Sequence, residues 1–500
     1  MAEAGPGLLA IRADAGPGIG AGHVMRCLAL AQAWKRAGGR AVLVGRVDPP
    51  ALAARLAREG LPVVAPPPGD ADGAAAFSQA RGEAAGEPGA HWGVLDGYAF
   101  GPDVQAAARR DGPLLVLDDL AAGRVHADAV LNQNFHAPSL RYDADPGAAL
   151  LLGPAYALLR EDFLRRPRPA RHFPGRARTV LVTMGGADPD NATAALLAAL
   201  SAVGDPALDV AVVAGPANRH AVTLARALAD APFPGRLLRD PPDLSGLMAA
   251  ADLVVTAGGS TCLELCFCGA PMAVAVLAAN QAPGTAALTG AGAAVSLGPA
   301  GALDVAATAA ILDGLLGDAG QRRRLSETAA RLVDGRGGDR LAAALCERAG
   351  TRLRLLPARA ADAETLLAWR NDPQTVAVSH TDRPVAPDEH RRWLAASLKN
   401  PDRRLYLAEE GGVPAGTVRL DRDGDGWLLS WTVAPGFRGR GLGKAMVRLA
   451  ADALSGPVRA EVKAGNAASA RIAACAGLRL DHERDGVRYY VRPSKEDATP

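Results

Sequence analysis

At 500 residues the chain is too long for one ordinary hydrophobic core, and roughly three domains are expected. Apolar residues make up 49% and charged residues 22%, the balance of a globular protein, and the net charge of +2 includes no dominant Lys/Arg block, which argues against nucleic acid or an acidic membrane surface as partner. There is no run of 18 apolar residues and no basic leader followed by an apolar core, so a cytoplasmic protein with no membrane partner is expected.

Short apolar strands are predicted at 8–11, 41–44, 93–95 and 114–117, with helices over 23–37 and 51–58. This alternation implies a parallel sheet covered on both faces. An Arg/Pro-rich stretch at 165–178 breaks the pattern and reads as a linker. The rhythm restarts with strands at 179–183, 209–214, 253–256 and 272–276, a helix over 261–267, and a charged helical stretch at 321–348. From residue 351 the character becomes α+β: helices at 362–369 and 387–398, strands at 404–409, 417–421, 427–433 and 458–462, and a helix over 442–454. The expected domains are therefore 1–165, 176–348 and 352–493.

Six cysteines occur, at Cys27, Cys262, Cys266, Cys268, Cys346 and Cys475. Cys266 and Cys268 sit too close for zinc-knuckle spacing and no second pair follows, so all six read as small apolar residues of a reducing compartment. No metal is predicted. Asp118-Asp119 has the look of a metal pair, but a strand-end Asp pair that accepts backbone amides explains it as well.

The sharpest local feature is Gly18-Ile19-Gly20-Ala21-Gly22-His23, after the first strand. Glycines there let backbone amides approach an anion at the start of the next helix. His23 falls in the first turn of that helix, facing the cleft, where an imidazole can act as a general base on water. A Rossmann-like dinucleotide turn is the bland alternative, although the spacing is not G-x-G-x-x-G. Asp14 either orients His23 or caps a turn.

Around that loop, Arg12-Ala13-Asp14 and Ile19-Gly20-Ala21-Gly22-His23-Val24-Met25-Arg26-Cys27 resemble the opening of the UDP-2,4-diacetamido-2,4,6-trideoxy-β-L-altropyranose hydrolases of pseudaminic acid biosynthesis. The likeness continues in order through Asp96-Gly97-Tyr98, Leu117-Asp118-Asp119, Leu131-Asn132-Gln133-Asn134, Gly153 to Arg160, Met184-Gly185-Gly186-Ala187-Asp188, Ala257 to Glu264, Gly269-Ala270-Pro271 and Asn280-Gln281. The resemblance implies a GT-B-like pair of Rossmann-like domains with nucleotide mostly on the second. It makes His23 the base and Tyr98 a contact near the sugar. Arg12, Asp14, Gly20, Gly22, Arg160, Asn280 and Gln281 join the substrate set, the turns at Gly185-Gly186 and Gly259-Ser260 offer amides to the diphosphate, and Glu264 accepts the ribose hydroxyls. A solvated helix carboxylate remains the other reading of Glu264.

The second strong motif is Val433-Ala434-Pro435-Gly436-Phe437-Arg438-Gly439-Arg440-Gly441-Leu442-Gly443-Lys444, an R-x-x-G-x-G turn between a strand and a helix that suits a pyrophosphate. It resembles the acetyl-CoA loop of the GNAT acetyltransferases. Trp369-Arg370-Asn371-Asp372, His390-Arg391-Arg392-Trp393 and Asn466-Ala467-Ala468-Ser469 with Gly477-Leu478 agree with that likeness. It implies an α+β GNAT domain using acetyl-CoA as cosubstrate, with Val433 pairing its backbone to the pantetheine arm, and with Arg438, Gly439, Arg440, Gly441, Gly443, Lys444, Asn466 and Ser469 in the cofactor set. One departure stands out: many members carry a tyrosine seven residues after the Asn as acid to the leaving thiolate, and here that position is Ala473. Tyr489 or Tyr490 substitutes, or the thiolate leaves unaided.

The expectation is a bifunctional enzyme acting on a small-molecule UDP-sugar. The C-terminal domain acetylates a UDP-4-amino sugar, and the N-terminal unit hydrolyses the product to UDP and free sugar. The alternative is a GT-B glycosyltransferase with a regulatory acetyl-CoA-binding or protein-acetylating GNAT domain.

Overall fold

The computed structural model describes residues 5–494 except 17, 18, 71, 85, 167, 169, 187, 216, 217, 240, 242, 350–352 and 382. Gly18 and Ala187 of the predicted motifs lie outside the described residues.

The first lobe is built on β1 (Pro6–Ala13), β2 (Arg40–Val44), β3 (Val63–Val64), β4 (Ala90–Asp96), β5 (Leu114–Leu117), β7 (Ala129–Asn132) and β9 (Ala149–Leu152), in the order β3-β2-β1-β4-β5-β7-β9 and parallel throughout. A small parallel pair, β6 (Arg124–Val125) with β8 (Asp143–Ala144), lies beside it. Leu9, Ile11, Trp92, Val94, Leu115 and Leu117 fill one face of the sheet, and Ala10, Leu95, Leu114 and Val116 the other. Burial on both faces is why these strands read as unbroken apolar runs.

The second lobe repeats the design with β10 (Thr179–Thr183), β11 (Asp209–Ala214), β12 (Gly235–Arg239), β13 (Leu253–Ala257), β14 (Met272–Val276) and β15 (Val295–Pro299), ordered β12-β11-β10-β13-β14-β15 and all parallel. In each lobe the strand order reverses beside the first strand, and a crevice opens there at the carboxyl ends of the strands. The architecture is a GT-B-like pair of Rossmann-like lobes.

The predicted linker is pinned rather than loose. Arg171 donates to the carbonyls of Met248, Ala251 and Cys268, and Arg168 to that of Ala330, so its guanidinium groups satisfy backbone oxygens at helix C-termini. The charged helical stretch after β15 is two helices, Ala319–Leu332 and Gly337–Ala349. The second crosses back under the first lobe, where Leu341, Ala342 and Leu345 join the core and Trp92 Nε1 donates to Leu345 O at 3.0 Å. Its start passes so close to the 154–157 turn that a Cβ on Gly337 would lie 2.3 Å from Ala157 O, which requires glycine.

The C-terminal domain carries one seven-stranded sheet, β16 (Leu353–Pro357), β17 (Arg403–Glu410), β18 (Val413–Asp423), β19 (Gly426–Val433), β20 (Val458–Lys463), β22 (Val487–Arg492) and β21 (Arg479–Arg484), in that spatial order. Neighbours are antiparallel except β19 and β20, which pair in parallel only from Trp427–Val458 to Leu429–Ala460 and then part. Among the described residues no helix is long and apolar enough to cross a membrane.

Candidate active sites

The first site grows from the carboxyl ends of β1 and β4, which lie side by side with Ala13 opposite Asp96. After β1 the chain turns through Gly20, held at φ +79°, and enters the helix Gly22–Arg36. His23, Arg26 and Cys27 share one face of that helix at i, i+3 and i+4, and all three reach Asp96. His23 Nδ1 lies 2.6 Å from Asp96 Oδ1, Arg26 donates to both Asp96 oxygens at 2.6 and 2.7 Å, and the Cys27 thiol approaches at 3.4 Å. Arg26 extends the network by bonding both oxygens of Asp119, which also accepts from Asn134 Nδ2 at 2.8 Å.

Asp96 is fully buried. Burial alone would raise its carboxyl, but the Arg26 guanidinium and the bond from His23 bring it down to about 2. It is therefore an anion that can only accept, so Nδ1 of His23 donates and the ring's other nitrogen, Nε2, is the acceptor. Tyr98 stands edge-on to His23 with ring centroids 5.2 Å apart, and Asn280 of the second lobe lies near its hydroxyl. Tyr98 is 63% exposed, and partial desolvation of its hydroxyl, with Asp119 nearby, raises its phenol.

Of the two readings of Asp14, the structure favours the turn: Arg12 holds it at 2.6 and 2.8 Å, and it accepts the Arg46 amide at 2.8 Å, so it does not orient His23. Arg12 is spent on that pair, on Asp72 O and on the Phe100 ring, and is buried. The Asp118-Asp119 pair divides its work, Asp118 accepting the amides of Leu120 and Ala121 while Asp119 binds Arg26. Asp96, Arg26 and Asn134 were not singled out as site residues from sequence. The i, i+3 spacing of His23 and Arg26 was the available signal.

The second lobe faces this cluster with loops from the carboxyl ends of β10, β13 and β14. Gly185, at φ +81°, and Gly186 follow β10. Gly259 and Ser260 precede the helix Thr261–Cys268, whose first turn carries Glu264. A Cβ on Gly258 would lie 2.3 Å from Thr285 Oγ1, so the bare Gly258 backbone packs against the Thr285 side chain of the helix Ala282–Gly290. Asn280 and Gln281 sit in the turn after β14, where Gln281 Oε1 accepts the Leu277 amide. Arg160 comes within 3.3 Å of Glu264; burial raises the Glu264 carboxyl and Arg160 opposes it. Between the lobes lies a cavity of about 540 Å³, lined by Asp119, Phe135 and His136 on one side and Asn280, Pro283 and Ala287 on the other.

In the C-terminal domain, Gly439 and Gly441 take left-handed conformations before the helix Leu442–Asp452, which exposes the loop's amides. Arg438 turns away from the loop's mouth to Asp372 at 2.5 Å, Gln374 and Thr375, tying the loop to the helix Pro373–Val378. Arg440 pairs with Glu410 at 2.8 Å, and Lys444 is exposed on the helix. Gly443, placed by sequence in the cofactor set, is a packing glycine: a Cβ there would lie 2.6 Å from Ile472 and 3.0 Å from Val433. Asn466 caps the helix Ala467–Cys475 by accepting the Ser469 amide. Ala473 is fully buried in the same core as Tyr490, and Tyr489 stacks on His482 at 4.5 Å. The parting of β19 from β20 beyond Leu429 and Ala460 leaves the ends at Val433 and Lys463 open beside this loop.

Residues 352–479 match the Acetyltransferase (GNAT) domain family. Over 150 residues, 30% of this chain, the sequence is 29% identical to the spore coat polysaccharide biosynthesis protein SpsG of Bacillus subtilis (strain 168), and it spans 42% of that protein's length. Among solved structures, MurG of Acinetobacter baumannii aligns with 68% of this chain and 99% of its own at 17% identity and a TM-score of 0.47. The spermidine N-acetyltransferase of Vibrio cholerae, in complex with CoA and spermine, aligns with 29% of this chain and 96% of its own at 14% identity and a TM-score of 0.26. The chain joins two Rossmann-like lobes, each with a parallel sheet, to an α+β domain of which residues 352–479 match the GNAT family.

Proposed function

We propose that the two N-terminal lobes hydrolyse UDP-2,4-diacetamido-2,4,6-trideoxy-β-L-altropyranose to UDP and free sugar, and that the GNAT domain makes this substrate by acetylating the 4-amino group of the preceding UDP-sugar. The observation that carries the hydrolase half is the His23–Asp96–Arg26 network facing the glycine turns of the second lobe. The ordered motifs that resemble this hydrolase family, and a relative whose name places it in polysaccharide biosynthesis, support the sugar-nucleotide context.

In this reading a water attacks the anomeric carbon as Nε2 of His23 takes its proton. The C1–O bond to the β-phosphate breaks, and UDP leaves with the electron pair. Amides at the Gly259–Thr261 turn receive the diphosphate charge, and Glu264 the ribose hydroxyls. In the GNAT domain the neutral sugar amine attacks the thioester carbonyl of acetyl-CoA, the C–N bond forms as the C–S bond breaks, and the amine's proton passes to solvent. With Ala473 at the usual acid position, the CoA thiolate takes its proton from solvent as well.

The test is incubation of the purified chain with the UDP-diacetamido sugar while UDP release is followed. His23→Ala abolishes UDP release and leaves acetyl transfer intact. A folded chain that releases no UDP sinks the hydrolase reading. The buried Ala473 favours one second reading, a GNAT domain that binds acetyl-CoA as a regulator. In that case acetyl-CoA alters UDP release and no CoA is formed.

A further inference from the structure

Two consecutive reactions on one chain require the UDP-sugar to pass from the GNAT domain to the interlobe cleft. In the first lobe the reactive groups stand at the carboxyl ends of the strands: Asp96 ends β4, Asp119 follows β5, and Asn134 follows β7. The GNAT domain grips the opposite ends. Arg354 on β16 bonds both oxygens of Asp128, which precedes β7, and donates to Arg109 O and Gly112 O, which precede β5. Arg109 in turn donates to Leu355 O at 2.7 Å and Arg110 to Pro357 O. Gly147, before β9, packs on Leu449 of the acetyl-CoA-loop helix. The four-residue height of β5, about 13 Å, separates the two levels, and the first lobe's sheet stands between them. On the GNAT side the parted β19 and β20 lie a further three strands from the gripped edge, about 14 Å across the sheet.

The grip also resists reorientation. Asp145 is fully buried and takes Arg109 at 2.6 Å, Arg124 at 3.2 Å and His126 at 2.9 Å; Arg124 bonds the Tyr406 hydroxyl, and Arg404 bonds Asp143 at 3.0 Å. Swinging the GNAT domain toward the cleft would strip Asp128 of Arg354 and Arg124 of the Tyr406 hydroxyl together, leaving the Arg354 guanidinium without Asp128, Arg109 O and Gly112 O while Asp128 keeps Arg109 and the Leu114 amide.

We infer that the acetylated intermediate leaves the GNAT domain into bulk solvent and re-enters at the far end of the molecule, so that the fusion fixes the ratio of the two activities and does not channel the sugar nucleotide. This rests on the proposed pair of reactions. Tethering raises effective concentration only when geometry lets both sites engage the same molecule, and this geometry does not.

The full chain is supplied with the UDP-4-amino sugar and deuterated acetyl-CoA in the presence of unlabelled UDP-diacetamido sugar at about ten times the intermediate formed; the expected result is about a tenfold dilution of label in the released sugar. Undiluted label overturns the inference. A second measurement needs no turnover: spin labels on Leu120→Cys and Val378→Cys, both exposed, in a Cys475→Ser background. One distance distribution, unchanged by UDP and acetyl-CoA together, is expected. A shorter population on adding both overturns the rigid arrangement. The half-reactions, assayed separately on the same preparation, show whether the functional reading itself has failed, and the distance measurement still decides the geometry.

Discussion

Asp96→Asn separates an orienting carboxylate from a merely buried one. The substitution keeps the shape but offers an amide where His23 Nδ1 and Arg26 now donate to an anion. The amide oxygen satisfies one of these donors, and its NH2 group then faces the other. If Arg26 keeps the oxygen, His23 meets a donor at Nδ1, and its proton moves to Nε2, where it blocks the base. An analogous Asp→Asn change in serine proteases lowers kcat about 10⁴-fold by this route, and a fall of about 10³- to 10⁴-fold in UDP release is expected here. The stability effect follows from the carboxyl. Held at about 2 against roughly 3.9 in an unfolded chain, it contributes about 2–3 kcal/mol above pH 4. Its folded value is depressed, so this contribution is present above the unfolded value and is lost as pH falls through about 2. Arg26 keeps Asp119, so the variant should fold, with a Tm lower by roughly 5–10 °C. UDP release by a coupled assay, beside calorimetry at pH 7, checks both. A folded variant releasing UDP within tenfold of the parent rate refutes the orienting role.

Glu264→Gln removes the charged acceptor proposed for the ribose hydroxyls; KM for the UDP-sugar should rise about tenfold with kcat little changed, and steady-state kinetics showing an unchanged KM count against that role. Ala473→Tyr forces a ring into a fully buried site, so thermal unfolding should show a loss of about 1–3 kcal/mol, and CoA formation should not increase; a faster acetyl transfer would mean that the missing acid limits the domain. Arg354→Ala leaves Asp128 short of a partner across the domain interface, at a cost of about 3 kcal/mol in the full chain at pH 7. Burial alone would raise the Asp128 carboxyl, but Arg109 and Arg354 hold it well below the usual range. The gap between variant and parent should therefore shrink as pH falls below about 4, and a pH-independent gap in thermal scans would argue against the charge account.

Most strands of the parallel cores were legible because burial on both faces leaves no alternation to misread, as in Leu114–Leu117, although the equally buried Ala129–Asn132 was not among those expected. The edge strands were not. Gly235–Arg239 and the exposed Arg479–Arg484 mix charges with small apolar groups, and only a neighbouring strand defines them. His23 could be read from its glycine loop because loop and helix are adjacent in sequence. Its partner could not: Asp96 lies 73 residues away and reaches His23 only because β4 pairs beside β1. Asp14, the nearer carboxylate in sequence, is turned aside by Arg12. The relation of the acetyltransferase to the lobes was equally invisible, since it depends on arginines from both sides of an interface that no local pattern marks.

Those arginines also show why a buried Arg–Asp network is not in itself a sign of reactivity. At the domain interface each oxygen of Asp128 and Asp145 has a donor: Arg109, Arg354 and the Leu114 amide on one, and Arg109, Arg124 and His126 on the other. A closed set of this kind fixes position and has no atom left for a reactant. The cleft network uses the same chemistry but ends differently. Arg26 ties Asp96 to Asp119, and His23 closes the chain through Nδ1 while its other nitrogen belongs to no pair within the network. The paired end holds the imidazole in one tautomer and one orientation, and the remaining nitrogen is the atom available for proton transfer. That asymmetry, rather than the burial or the charge, separates the site from the clamp, and it is the property that Asp96→Asn removes.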